Sequence, residues 1–261
     1  MVFTGNIHHI DNYKKIINSG EMIREIRDNI SSGDIYIVRK AVPPDYLEKI
    51  KTYLINVARN SIPNYKKIEL GCPNFHRINY ADKRAFVTGC FHQFVFFPWN
   101  QDYFDLFENL KHVYYLKNLI SNQAADKFLK KEPEEGCTAR IAFQFYPAGK
   151  GFLNRHKDPV DYHQLTVPTL TMSKKGVDFK EGGAFIEKEN GEKIYTDDIS
   201  DPGDVVYFNA QIVHGVDMID PSINKDWLDF NGRWMLLVAV NKLSDNSSIK
   251  DAVDLAKNDK Q

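Results

Sequence analysis

The spacing of apolar residues changes character near position 137. Before it, the pattern is mixed. Gly33-Asp34 leads into the β-branched run Ile35-Tyr36-Ile37-Val38, which reads as a strand. Pro43-Pro44-Asp45 then opens a helix, with Leu47, Ile50, Leu54 and Val57 recurring at helical spacing. A second helix is predicted from about Asp102 to Ile120, where Leu106, Leu110, Val113 and Lys117 follow one stripe beside Phe107 and Tyr114. Between the helices lies Phe91-His92-Gln93-Phe94-Val95-Phe96-Phe97-Pro98-Trp99, an aromatic run that reads as core; only its two polar members are free to face a ligand.

From Cys137 to about Leu243 the chain breaks into short strands separated by Gly, Pro, Asn and Asp. Arg140 to Tyr146 alternates, with Ile141, Phe143 and Phe145 on one side and Ala142, Gln144 and Tyr146 on the other. Leu165–Met172, Gly183–Glu187, Asp204–Asn209 and Trp234–Val240 are the other predicted strands, a series that suggests a sandwich or barrel. Residues after Ser244 are charged and poor in aromatics, the pattern of a loosely docked helix. The expected organisation is one domain over 1–261: a mixed supporting and substrate-entrance region (1–136), a β core (137–243) and a tail (244–261).

Composition narrows the possibilities. Lys+Arg 34 against Asp+Glu 35 leaves a net charge of −1, so no global basic field invites nucleic acid. No apolar run approaches the roughly 20 residues a bilayer span needs, so no membrane role is expected. Met1-Val2-Phe3-Thr4-Gly5-Asn6 has neither a basic nor an apolar leader segment, and the cysteines Cys72, Cys90 and Cys137 fit no disulfide or zinc spacing. A cytoplasmic location with reduced thiols is the expectation.

Among eight histidines, His156-Lys157-Asp158 stands out. In an extended segment residues i and i+2 project the same way, so an imidazole and a carboxylate can share one metal. About one His-x-Asp match is expected by chance in such a chain, and His9-Ile10-Asp11 is a second. Context separates them. His9-Ile10-Asp11 lies ahead of any predicted sheet and reads as surface. His156-Lys157-Asp158 follows the alternating strand and the turn Tyr146-Pro147-Ala148-Gly149. Beyond it come Gly182-Gly183-Ala184-Phe185, Asp201-Pro202-Gly203-Asp204, Val213-His214-Gly215-Val216 and Gly232-Arg233-Trp234.

This ordered series resembles the double-stranded β-helix (jelly-roll, cupin-like) core of the Fe(II)/2-oxoglutarate-dependent oxygenases, over about Arg140 to Val240. The resemblance implies a mainly β fold with supporting helices. It implies that His156, Asp158 and His214 hold Fe(II), and that Arg233 pairs with the distal carboxylate of 2-oxoglutarate. Gln144, Tyr146 and Thr169 are further candidate cosubstrate contacts. Two glycine sites, Gly182-Gly183 and Gly203, are expected to turn sharply into strands. A carboxylate at Asp158, where halogenating relatives carry Gly or Ala, agrees with the family's hydroxylases and speaks against halogenation, and leaves hydroxylation, desaturation or ring formation open. The chain departs from many relatives at Met235, where a hydroxyl residue often assists the Arg; Tyr146 is a candidate replacement.

The implied reaction oxidises an unactivated C–H bond with O2 while 2-oxoglutarate is decarboxylated to succinate and carbon dioxide, with ascorbate as a supporting reductant. Among subfamilies the layout looks similar to phytanoyl-coenzyme A hydroxylase-like enzymes, which implies a small-molecule substrate; His76, Arg77, Arg84 and His92 are the candidate substrate contacts. The alternatives are a protein or nucleic-acid hydroxylase or demethylase on the same core, and a cupin-like metal isomerase or binding barrel.

Overall fold

The computed structural model of the chain describes residues 1–160 and 163–258. In chain order, β1 (Ile7–Ile10), α1 (Tyr13–Ile17), α2 (Gly20–Ser32) and β2 (Ile35–Val38) lead to α3 (Pro44–Asn60), β3 (Phe75–Tyr80), β4 (Gly89–Phe96), α4 (Leu106–Asn109) and α5 (Lys111–Ile120). After these come β5 (Cys137–Pro147), β6 (Phe152–Lys157), β7 (Thr169–Thr171), β8 (Gly183–Glu187), β9 (Lys193–Tyr195), β10 (Val205–Tyr207), β11 (His214–Asp217) and β12 (Gly232–Lys242). Strand β13 (Val253–Asp254) and α6 (Leu255–Asn258) close the described chain.

The strands form one curled, mixed sheet with two limbs. One runs β1-β2-β10-β7-β12-β5-β4 and the other β6-β11-β8-β9; β4 joins them by pairing with both β5 and β6. The longest ladder is β5 against β12, antiparallel from Gly232↔Pro147 to Lys242↔Cys137. Strand alternation then gives the large limb two faces. Ile141, Phe143 and Phe145 of β5, with Trp234, Leu236 and Val238 of β12, join the buried stripes of α2, α3 and α5 in the main core. The opposite faces of β5 and β12 look toward the small limb, where Phe91, Tyr146, Val216 and Met235 cluster. The helices therefore buttress one face, and the space between the limbs is left for a site.

Several elements differ from the sequence reading. The second helix starts later and breaks, because Asp105 sits at φ 46° and Leu110 separates α4 from α5. The aromatic run is core, as its sequence reads, and up to Phe96 it belongs to the buried strand β4. On α3 the buried stripe closes with Ala58, not Val57. The segment Leu165–Met172 narrows to Thr169–Thr171 after Pro168, which has no N–H to give a ladder. The tail adds a strand: β13 pairs with β6, and Asp254 accepts from Thr88 N–H at 2.8 Å. The N-terminus also joins the sheet, with β1 parallel to β2. Gly203 has φ +96°, and a Cβ there would lie 2.3 Å from the Val42 carbonyl oxygen, so this turn into β10 requires glycine. No helix among the described residues is long and apolar enough to cross a membrane.

Candidate metal centre

His156 on β6 and His214 on β11 are cross-strand partners, with ring centroids 4.1 Å apart. Asp158 leaves β6 two residues after His156. Its N–H donates to the Ala210 carbonyl at 3.0 Å and its own carbonyl accepts from the Gln211 amide, which fixes the exit of the strand. The carboxylate then faces both rings: Oδ1 lies 3.8 Å from His156 Nε2 and Oδ2 lies 3.4 Å from His214 Nε2. One donor atom from each residue falls within 4.8 Å of the others, the one such group among the described residues.

The other ring nitrogens are already committed. His156 Nδ1 meets the Asn154 carbonyl and His214 Nδ1 the Ile212 carbonyl, each at 2.8 Å. A carbonyl can only accept, so each Nδ1 carries a proton, and Nε2 is the nitrogen that each ring turns to the centre. Burial, and next the neighbouring His214, push His156 down to about 4, so its ring is neutral at physiological pH. Burial raises Asp158, but the His214 hydrogen bond and the charges of His156, His214 and Arg140 outweigh it and hold the carboxyl at about 2. Two imidazole nitrogens and one carboxylate oxygen on one side of a point are a donor set that suits Fe(II) and would leave its other positions open.

The centre opens into a cavity of about 650 Å³ between the two limbs, within the range of small-ligand sites. Gln144, Tyr146, Thr169 and Met235 line it, as the alternation places them. Tyr146 Oη donates to Gln144 Oε1 at 2.6 Å.

Arg233 has a partner that sequence reasoning missed. It is buried, and its Nε donates to Asp197 Oδ2 at 2.7 Å; Tyr146 lies alongside, its ring centroid 5.7 Å from the guanidinium carbon. Asp197 Oδ2 also accepts from Ala184 N–H at 2.7 Å. Gly183, at φ +118°, makes room for this carboxylate: a Cβ there would lie 2.6 Å from Asp197 Oδ2. Arg233 Nη1 and Asp197 Oδ1 keep no hydrogen-bond partner. The paired glycines at 182 and 183 were the only sequence sign of this arrangement.

The substrate candidates divide. Arg77 and Arg84 line the cavity, but His76 and His92 do not. They turn to the opposite face of β3 and β4, where His76 Nε2 contacts His92 Nδ1 at 2.9 Å and Phe94 stacks on His76. Neighbouring strand residues cannot share a face, so Arg77 and Gln93 take the cavity side and the two histidines the core. His9 and Asp11 are exposed on and beyond β1.

No protein-family model matches the chain, and no curated protein sequence matches it. Solved structures do. JOX2 in complex with 2OG, Fe and JA aligns at TM-score 0.54 and 13% identity, covering 92% of this chain and 76% of that one. A full-length Neurospora crassa protein in complex with alpha-KG gives TM-score 0.51 at 13% identity, covering 95% and 93%. A Pseudomonas putida prolyl-4-hydroxylase gives TM-score 0.51 at 13% identity, covering 85% and 99%. The fold is that of the Fe(II)/2-oxoglutarate-dependent oxygenases. In that fold β5 to β12 are the double-stranded β-helix, and the added N-terminal elements extend and back its large limb.

The expectation of a small-molecule partner is corrected. The same fold is shared by JOX2, solved with JA, and by the prolyl-4-hydroxylase above, so the fold does not establish a small-molecule partner. The physical reason is that the fold fixes the metal and cosubstrate end of the cavity, whereas loops and added strands shape the end that receives the substrate.

Proposed function

We propose that the chain is a non-haem Fe(II)- and 2-oxoglutarate-dependent oxygenase that oxidises an unactivated C–H bond. The reading rests on one observation: His156, Asp158 and His214 converge, with both Nδ1 atoms tied to backbone carbonyls and both Nε2 atoms turned to the carboxylate. Fe(II) held there would supply the oxidising chemistry, with substrate C–H, O2 and 2-oxoglutarate balancing to alcohol, succinate and carbon dioxide. The chain's own residues arrange it. The backbone carbonyls of Asn154 and Ile212 lock the two imidazoles, and Ala210 and Gln211 lock the loop bearing Asp158. Arg233 Nη1, buried and unpartnered, is the group that would receive the distal carboxylate of 2-oxoglutarate, and Asp197 holds the guanidinium in place for it. Phe208 against the His214 ring and Val216 in the cavity wall keep water from the centre.

The test is succinate release with Fe(II), O2, ascorbate and 2-oxoglutarate, together with a 2-oxoglutarate titration of the metal-loaded protein. Arg233→Ala removes the cation proposed to pair with the bound carboxylate, a change of about 2–5 kcal/mol in binding, which is roughly 30-fold to 10³ or more in affinity. It should raise the 2-oxoglutarate requirement by about that factor and leave metal affinity nearly unchanged, since the three ligands are untouched. Equal 2-oxoglutarate affinity in wild type and variant overturns the anchor. Metal binding without any 2-oxoglutarate binding would favour the metal-barrel alternative.

A further inference from the structure

Apart from the metal centre, the charges on the cavity wall are almost all of one sign. Arg77 on β3 and Arg140 on β5 line its interior, and exposed Lys66, Lys67, Arg84 and Lys250 line its rim. The lining carboxylates among the described residues are Asp158, which belongs to the metal centre, and Asp251, already bridged to Lys242 at 2.8 Å. This positive concentration sits in a chain whose net charge is −1, so it is a local feature and not a reflection of overall composition.

The two inner arginines lack the partners such groups normally have. Arg140 makes no ion pair or side-chain hydrogen bond among the described residues, and its Nε is buried without a partner. Arg77 donates from Nε to an uncharged acceptor, Gln93 Oε1, at 2.7 Å, and has the Tyr65 ring 5.3 Å from its guanidinium carbon. Burial, and then the like charge of Arg140, push Arg77 down to about 10. Two cations drawn largely out of water, which repel each other and close no ion pair, are costly unless an anion completes them.

Their placement separates them from the cosubstrate end. Arg77, Gln93 and Gln144 stand in one register row across β3, β4 and β5. Arg140 is on the same face of β5, opposite Ala239, whereas Arg233 is opposite Tyr146. Six residues of strand span about 20 Å, so Arg140 stands far along the sheet from Arg233, which is not itself in the cavity lining. Arg140 also feels the charge of Asp158, which sets it beside the metal centre.

We infer that Arg77 and Arg140 form an oxyanion site that recognises a carboxylate or phosphate group on the substrate to be oxidised. A guanidinium fork fits either oxyanion, and Gln93 holds the Arg77 fork in position. The exposed lysines at the rim draw such an anion toward the mouth, whereas Arg84 is already paired with Asp82 at 2.7 Å. The inference rests on the oxygenase reading for what happens to the bound molecule, but not for the anion site itself.

The experiment is a calorimetric titration of the zinc-loaded protein in saturating 2-oxoglutarate, with inorganic phosphate in one arm and acetate in the other. Wild type should bind at least one anion, and Arg140→Gln and Arg77→Gln should each weaken that binding about tenfold or more, the effect of losing a hydrogen bond to a charged group. The arm that responds identifies the oxyanion. Without anion, both variants should melt no lower than wild type, because a repulsion has been removed, and they should lose the thermal shift that the anion gives wild type. The inference is overturned if wild type binds neither anion, or if the variants bind equally well. It is also overturned if Arg140→Gln weakens zinc and leaves anion binding intact, which would make Arg140 only a charge balance for Asp158. Failure of wild type to bind zinc sinks the oxygenase reading instead, and the anion titration is then read on the metal-free protein.

Discussion

Two histidine pairs in this molecule start from similar conditions and arrive at different roles. His156 and His214 face each other across β6 and β11; His76 and His92 meet across β3 and β4. His156, His76 and His92 are all buried, and burial is the leading cause that lowers them, His156 and His76 to about 4 and His92 to about 3. The first pair ties its Nδ1 atoms to backbone carbonyls and keeps both Nε2 atoms for a shared point with Asp158. The second uses Nε2 of one ring against Nδ1 of the other, among Phe94, Phe145, Trp227 and Phe230. Proximity of imidazoles is therefore not what makes a metal centre. What sets the first pair apart is a third, anionic donor and Nε2 atoms turned to an open cavity.

The largest effect that separates the pairs is on metal binding. Changing groups that merely support metal ligands costs about 10–100-fold in affinity, so Asp158→Ala, which removes a ligand, should lose more than about 100-fold. His92→Phe should leave metal affinity unchanged and act only on stability, because its ring lies on the far face of β4. A cobalt(II) titration followed by its absorption bands measures both. Comparable losses in the two variants would break the comparison.

How far this contrast was legible in the sequence follows from the period of a strand. The alternation of Arg140 to Tyr146 placed Gln144 and Tyr146 on the cavity face, and the order of His156, Asp158 and His214 singled out three side chains that the fold brings together. The β-helix core was legible because its strands carry glycine and proline punctuation. The polar pair His92-Gln93 was visible as well, but one of two adjacent residues had to point away, and nothing in an all-aromatic run says which. Asp197 was hidden for another reason. It comes from a short turn at 196–198 and reaches Arg233 across 36 positions, so no local spacing announces it. Strands β3, β6 and β11 went unread because their residues alternate weakly, and β11 carries its histidine at the first position.

Acid should sharpen the comparison by a smaller amount. His76 and His92 have folded values below the ordinary 6.5, so between about pH 6.5 and 4 the unfolded chain binds more protons than the folded one. The stability present above pH 6.5 is therefore lost as pH falls through that window, on the order of 1 kcal/mol per histidine by pH 5. Urea midpoints at pH 7 and pH 5 give the slope. In the double variant His76→Gln, His92→Gln the slope should shrink but not vanish, since His156 and His112 are also lowered by burial. Saturating zinc should steepen the remaining slope, because the metal holds His156 unprotonated. A double variant with the full wild-type slope would show that the core pair is not what responds to acid.

The smallest expected effect tests context alone. His9-Ile10-Asp11 has the same spacing as His156-Lys157-Asp158, and β1 is paired with β2, so both tripeptides leave a strand of the same sheet. The difference is what surrounds them. His9 and Asp11 are both exposed, and no further histidine, cysteine or carboxylate among the described residues completes a metal-holding group with them. The neighbouring His8 turns the other way, stacked on Tyr36 with Nε2 2.8 Å from Asp34 Oδ2. Substitution at such surface positions usually changes stability by less than about 0.5 kcal/mol. His9→Ala with Asp11→Ala should therefore leave the urea midpoint, the cobalt(II) affinity and a stoichiometry of one metal per chain as they are in wild type. A lower stoichiometry in that variant would mean that spacing alone suffices to hold a metal on a strand edge, and the contrast drawn from the two buried pairs would fail with it.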